Sequence, residues 1–536
     1  MKKRAWFLFG ILVLVFGSVS LHLYRLTRNE PALVASGHNS YTVSVNTTRG
    51  TIYDTWLRPF VNEEKQYVAA IQPDETLLSH LRPALDDENF DNVASRLRDR
   101  RPLVVRLREP VAITDGIQLF FSPIRYGERL LAPHIIGYLD ADTGAGCTGL
   151  EAALDEQLRR YGGEITVSFP VSGNGYGLVG AQPQVKDTTS RSTGGVILTL
   201  DKEIQQIVED TAPDYLTKGA VVIMEPQSGA ILTMASFPDF QPNTVADSIV
   251  ANDGALINRA LSLYDCGSVF KTVTAATALE KHVSLSQLFE CTGGMTVGNT
   301  TFHCHERLGH QGLQFADAYA QSCNIYFIRL AQLIGGKAVR DMAITFGFGD
   351  EISLVKGINA PCAVLPTESE LQHEATLANF SFGQGKLLAT PLHIARMTAA
   401  VANKGIMPVP HLLKGTIDDD GTVSLEEERG GERVLKAETA THLRGMMERV
   451  VTHGTGRAAA LAVCSSAGKT GTAQTGQMNG ENPVVQSWFT GYFPAEIPQF
   501  VITVLAEDAE NTNGRATALF CELVNKLSET KQGTQP

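Results

Sequence analysis

Ser268-Val269-Phe270-Lys271 runs directly into Thr272-Val273-Thr274-Ala275-Ala276-Thr277-Ala278-Leu279-Glu280, a stretch without proline or glycine that predicts a helix. Ser268 then stands at the helix N-terminus, preceded by Gly267. Residues three apart share a helix face, so Lys271 lies beside Ser268, and the unpaired N–H groups of the first turn favour negative charge there. A chain of this length should hold about two Ser-x-x-Lys strings by chance. Ser353 to Lys356, Ser466 to Lys469 and Ser528 to Lys531 match too, without the glycine and the helical run. Taken alone, Ser268 and Lys271 also read as a capping serine and a solvated lysine.

Two further strings follow in order, Ser322-Cys323-Asn324 and Lys469-Thr470-Gly471-Thr472. Ser44-Val45-Asn46 and Ser172-Gly173-Asn174 match the first of these patterns by accident. The second lies in Ala467-Gly468-Lys469-Thr470-Gly471-Thr472-Ala473-Gln474, which reads as a strand of small residues. Thr470 and Thr472 then point to one side, where both hydroxyls can meet a carboxylate, and Gly471 leaves the edge open. Otherwise it is a Gly-rich turn with a surface lysine. Together the strings supply a serine nucleophile, two lysines and a carboxylate clamp, as acyl transfer from a peptide with a free C-terminus requires.

These motifs resemble those of the class B penicillin-binding proteins, the monofunctional peptidoglycan D,D-transpeptidases. Arg49-Gly50-Thr51-Ile52-Tyr53-Asp54 and Gly149-Leu150-Glu151 resemble signatures of that family's N-terminal module, and Leu198-Thr199-Leu200-Asp201 with Gln205 the start of its catalytic domain. Ala235-Ser236-Phe237-Pro238, Asn258-Arg259-Ala260, Phe382-Gly383-Gln384-Gly385 and Thr390-Pro391-Leu392 extend the likeness. Cys266 stands where the family has proline, Asp54-Thr55-Trp56-Leu57 replaces an Asp-Arg-Asn-Gly turn, and cysteine is the middle residue of the second motif. The resemblance implies catalytic roles for Ser268, Lys271, Ser322, Asn324 and Lys469, and substrate binding by Thr470, Gly471 and Thr472. It implies an oxyanion hole from the N–H groups of Ser268 and Thr472, no cofactor, and acylation by β-lactams. The implied partners are peptidoglycan stem peptides, a membrane glycosyltransferase and proteins of division, elongation or sporulation.

With 536 residues, 43% hydrophobic and 19% charged, the chain has room for two or three domains, and a net charge of −12 argues against nucleic acid as a partner. After Lys2-Lys3-Arg4 no charge appears until Arg25, and the apolar interval is long enough for a single membrane anchor. The basic flank sets a cytoplasmic N-terminus and an extracytoplasmic body. A cleaved signal peptide is the competing reading, since Ser18-Val19-Ser20 loosely resembles a cleavage site. The expected domains are an anchor over 1–28, a pedestal over 29–191 and a transpeptidase domain over 192–536. The pedestal carries helices at 86–101 and 150–161 and ends in the polar segment 173–195.

A hairpin at 220–224 and 230–234, strands at 467–474, 487–493 and 500–506 and a last helix at 515–527 predict an α+β fold. Its antiparallel sheet is packed by helices, with the nucleophile helix against the edge strand carrying Lys469. Two other functions use the same strings: a serine β-lactamase or β-lactam sensor, and a non-catalytic scaffold of a wall-synthesis complex. Of eight cysteines, Cys291 and Cys304 bracket a loop that a disulfide could close, and Cys323 could pair with either. Most others, such as Cys521, read as buried small hydrophobes. His303-Cys304-His305 with His310 permits a zinc reading, but His-x-His spacing is too common to assign a metal.

Overall fold

The computed structural model describes residues 2–28, 40–72, 74–99, 101–114, 116–172, 178, 181–189, 193–461, 464–479, 482–507 and 514–533. Two compact units emerge: Met1–Gly50 with Asn62–Gly127 and Arg159–Gly194, and Thr51–Val61 with Glu128–Leu158 and Gly195–Pro536. Two stretches of the expected pedestal thus belong to the larger unit. Thr51–Tyr53 pairs in parallel with Gly195–Leu198, a strand distant in sequence.

In the smaller unit Lys65–Ile71 is the middle strand of an antiparallel sheet with Leu103–Leu107 and Ile117–Pro123. Asp86 caps the helix Asp87–Arg98 by accepting from the Asn89 N–H at 2.8 Å, which starts it where the charged run predicted. The helix expected at 150–161 is broken at Leu154 into Gly149–Ala153 and Asp155–Arg160. Of the expected boundary segment, 173–177, 179–180 and 190–192 lie outside the described residues, while Gln184–Asp187 is a strand paired with Glu164–Pro170.

A five-stranded sheet organises the larger unit in the order Ile231–Phe237, Lys218–Met224, Phe500–Glu507, Asn482–Phe493, Ala467–Asn479, with every neighbouring pair antiparallel. The central strands Lys218–Met224 and Phe500–Glu507 are buried along nearly their whole length, so both faces must be covered. Helices Lys202–Thr211 and Arg515–Gly533 cover one: Val208, Phe520, Leu523 and Val524 share a core with Val221, Ile223, Ile502 and Val504. On the other, Thr398 of Pro391–Ala402 joins a buried hydroxyl chain, 2.7 Å to Thr490 and from there 2.7 Å to Thr503.

Asp54 is fully buried, accepting from Trp56 N at 2.8 Å, Arg58 N at 2.7 Å, Arg58 Nε at 2.6 Å and Lys202 N at 3.1 Å. The departure from the family turn therefore falls in the larger unit, contrary to expectation. Leu57, at the position of the family's glycine, has φ +63°, a left-handed conformation that costs a non-glycine residue about 1–2 kcal/mol.

The N-terminal apolar run forms the helix Lys2–Arg28, with Trp6, Phe7, Leu14 and Phe16 exposed. Among the described residues no helix is long and apolar enough to cross a membrane. The side chains of 2–5, 8, 23 and 25–28, on which the anchor reading partly rests, lie outside the described set.

Candidate active site

Gly267–Phe270 forms a 3-10 turn that feeds the helix Lys271–Glu280 and presents Ser268 at its mouth. Gly267 has φ +56°, and a Cβ there would lie 2.6 Å from the Thr472 carbonyl oxygen. The nucleophile turn can thus reach the edge strand only without a side chain at this position. Gly267 N–H donates to Gly383 O at 2.8 Å, fixing the turn to the segment that carries the Phe382-Gly383-Gln384-Gly385 motif.

Lys271 is fully buried, yet its Nζ meets four oxygens: Ser322 O at 2.6 Å, Asn324 Oδ1 at 2.7 Å, Ser268 Oγ at 3.1 Å and Ser322 Oγ at 3.2 Å. Asn324 Nδ2 donates to His303 O at 3.1 Å, which turns its Oδ1 toward Lys271. A neutral amine has two N–H groups and one lone pair. Both N–H groups can go to the acceptor-only Ser322 O and Asn324 Oδ1, leaving the lone pair for the Ser268 hydroxyl. Burial pulls the Lys271 pKa down to about 8.

Lys469 is also fully buried, with Nζ 3.0 Å from Ser322 Oγ and 2.8 Å from Thr470 O. Its pKa is lowered, chiefly by burial and further by the Lys271 charge. Ser322, held at φ +53°, thus bridges the two amines through one hydroxyl.

Along the edge strand Lys469, Gly471 and Ala473 are buried whereas Thr472 and Gln474 are exposed, the two-residue alternation expected of a strand. A Cβ at Gly471 would stand 3.0 Å from Val269 and 3.1 Å from Trp488. Ser268, Ser322, Asn324, Thr470, Gly471 and Thr472 line one cleft of about 460 Å³. All eight residues singled out in the sequence therefore lie in or directly behind it. The sequence did not single out Thr455, Ser487, Trp488 or Thr517, which line it as well, and His305, considered there only as a metal ligand, lines it too. Thr455 Oγ1 lies 2.6 Å from Thr470 Oγ1, and its only local signal is the glycine on either side.

The cysteines depart from expectation. All eight are free, so the Cys291–Cys304 disulfide is not formed; Cys147 and Cys362 are exposed and Cys464 and Cys521 half-buried.

Residues 219–525, more than half the chain, match the family described as penicillin binding protein transpeptidase domain. Penicillin-binding protein PbpB of Mycolicibacterium smegmatis is 31% identical over 429 residues, covering 75% of this chain and 64% of the relative. Stage V sporulation protein D of Bacillus subtilis is 31% identical over 397 residues, covering 71% and 59%. The match thus spans less than two thirds of these relatives' own length. Among solved structures, the D,D-transpeptidase domain of a peptidoglycan glycosyltransferase from Eggerthella lenta superposes with a TM-score of 0.67 at 26% identity, over 90% of this chain and 99% of that one. A complex of PBP2 and MreC from Helicobacter pylori gives 0.68 at 21% identity, over 92% and 99%, a likeness of fold. Sequence match, sheet order and the meeting of three motifs in one cleft agree: the chain belongs to the class B penicillin-binding proteins.

Proposed function

We propose that the protein is a peptidoglycan D,D-transpeptidase that crosslinks stem peptides through an acyl-enzyme on Ser268. The observation that carries this is Lys271 Nζ at 3.1 Å from Ser268 Oγ, buried and with its N–H groups already engaged.

Lys271 takes the Ser268 proton as Oγ attacks the carbonyl of the penultimate D-Ala. The proton then passes through Ser322 to the departing D-Ala amine, which leaves neutral. Lys469 keeps Ser322 oriented, and its proximity disfavours double protonation of the lysine pair. The N–H groups of Ser268 and Thr472 hold the oxyanion, and Thr470 and Thr472 bind the terminal carboxylate. An amine from a neighbouring strand attacks the ester, loses its proton along the same path and releases Ser268. A β-lactam is trapped at the same serine.

Incubation with a D-Ala-D-Ala-ended donor and an amine acceptor should give crosslinked peptide and free D-Ala. Rapid nitrocefin turnover without crosslinking would support a β-lactamase instead, and no acylation at all a scaffold. Because only the neutral amine accepts a proton, the acylation rate should rise about tenfold per pH unit below about pH 8 and level off above it; stopped-flow acylation by penicillin checks this, and a flat profile would exclude Lys271 as the base. Thr470→Val, which removes one hydrogen bond to a charged group, should cost about 1–3 kcal/mol, or roughly 5- to 150-fold in kcat/KM. Donor peptides with a free and an amidated C-terminus measure that loss, and the amidated one should be almost insensitive to the substitution.

The helix Lys2–Arg28, with its exposed apolar residues, supports a reading as a single membrane anchor with the N-terminus cytoplasmic and the catalytic unit outside. Membrane fractionation with protease accessibility tests this. On this reading the partners are a membrane glycosyltransferase and proteins of the division, elongation or sporulation machinery; the solved PBP2–MreC assembly is one relative's example.

A further inference from the structure

Between the nucleophile helix and the helix Asn324–Ile334 the chain makes two small hairpins, Leu288–Cys291 with Gln311–Gln314 and Gly294–Val297 with Thr300–His303. Their side chains are mostly exposed, Leu288 to 59%, as is Leu308 at 85% in the loop between His303 and Gln311, so this region has little apolar core of its own. Besides Val297 and Phe302, what it buries is sulfur. Cys291 ends one strand, Cys304 follows another, His310 precedes a third, and Cys323 is the N-cap of Asn324–Ile334. One ligand atom from each lies within 4.8 Å of every other.

The distances distinguish among the explanations. Four-coordinate zinc, with Zn–S about 2.3 Å and Zn–N about 2.0–2.1 Å, sets its sulfurs about 3.8 Å apart and each about 3.6 Å from the imidazole nitrogen. Here Cys304 Sγ is 3.9 Å from Cys323 Sγ, and His310 Nδ1 is 3.6 Å from both Cys291 Sγ and Cys304 Sγ. A disulfide would need about 2.05 Å. A two-centre hydrogen bond would favour one sulfur, since one ring nitrogen carries one proton or one lone pair, yet His310 is equidistant from two, as a shared metal requires. His305 reaches only Cys304, at 3.9 Å, and falls outside the set.

We propose that Cys291, Cys304, His310 and Cys323 bind one zinc ion that fastens the hairpin region to the second catalytic motif. Three thiolates and an imidazole in a closed tetrahedral shell suit zinc in a structural role, whereas oxygen-preferring cations are excluded by the donor set. The thiols release their protons to solvent as the metal binds. Cys323 lies between Ser322 and Asn324, and its backbone carbonyl opens the helix that Asn324 begins. A metal bond at Cys323 therefore fixes both neighbours against Lys271. In an oxidising compartment it also keeps Cys304 and Cys323 from pairing. The link to catalysis rests on the proposed role of Ser268; the metal site itself does not.

The test is elemental analysis of the full chain purified without chelator and dialysed against metal-free buffer, expected to give zinc equimolar with protein. Cys291→Ser and His310→Ala should each lower that content. Titrating the reduced, metal-stripped wild type with cobalt(II) should produce the intense tetrahedral d–d bands and thiolate charge-transfer bands of a sulfur-rich site, a readout independent of whether the variants fold. Protein without zinc and without those cobalt bands would overturn the site, as would a Cys304–Cys323 disulfide in the freshly isolated chain. Stripping the metal should slow penicillin acylation at least tenfold, with recovery on adding zinc. An unchanged acylation rate in stripped protein would overturn the link to Ser322 and Asn324 while leaving the site standing.

Discussion

Ser268→Ala abolishes covalent penicillin labelling and crosslinking, while the melting temperature stays close to that of the wild type. The substitution removes one hydroxyl at the cleft surface and leaves the turn intact, because Gly267, which needs the left-handed conformation, is untouched. Lys271 keeps Ser322 O and Asn324 Oδ1 as partners, so no buried donor loses both its acceptors. Fluorescent-penicillin labelling read beside a thermal melt checks both halves. Label persisting in a folded variant would remove Ser268 from the mechanism.

Lys271→Ala is the second large effect, for a different reason. The alanine takes away the proton acceptor, worth about 10²–10⁴-fold for general base catalysis. It also strips the donor from the buried Ser322 carbonyl and from Asn324 Oδ1, at 2.6 Å and 2.7 Å in the native site. Acylation should fall by that factor or more, and stability should fall too, which separates this variant from Ser268→Ala. Arginine at the same position would keep a charge without a basic lone pair at neutral pH, and should remain as slow as alanine. Acylation kinetics of both variants, beside their melts, decide whether the amine acts as a base or only as a spacer.

Elements set by local pattern are legible in the sequence. Ser268 and Lys271 share a helix face by spacing alone, the alternation in Ala467–Asn479 puts Thr470 and Thr472 on one side, and the hairpin of Lys218–Met224 with Ile231–Phe237 is announced by the turn at 225–229. The edge position of the Lys469 strand also follows, since a peptide substrate needs a free edge there. Long-range packing is not legible. Nothing in the sequence around Thr51–Tyr53 says that it pairs with Gly195–Leu198, so a single cut between two domains misplaces Thr51–Val61 and Glu128–Leu158.

The cysteine cluster is legible only in part: the sequence offers Cys291, Cys304 and Cys323 as disulfide partners and His310 as a zinc ligand, but does not join the four. His303-Cys304-His305 stands out by adjacency, yet His303 points its carbonyl at Asn324 and takes no part in the cluster. The four converging residues come from separate strand ends and a helix cap, spaced by the hairpins between them. Thr455 is silent for a like reason, since a threonine between two glycines has no meaning until the fold sets it 2.6 Å from Thr470.

The most direct test of the acyl-enzyme account is peptide mapping by mass spectrometry after reaction with a D-Ala-D-Ala thioester analogue and, separately, with benzylpenicillin. The account predicts that both leave a covalent adduct on the same residue, Ser268, in a single peptide that also contains Val269 and Phe270. An adduct on any other serine, or crosslinking activity without an adduct on Ser268, would contradict it.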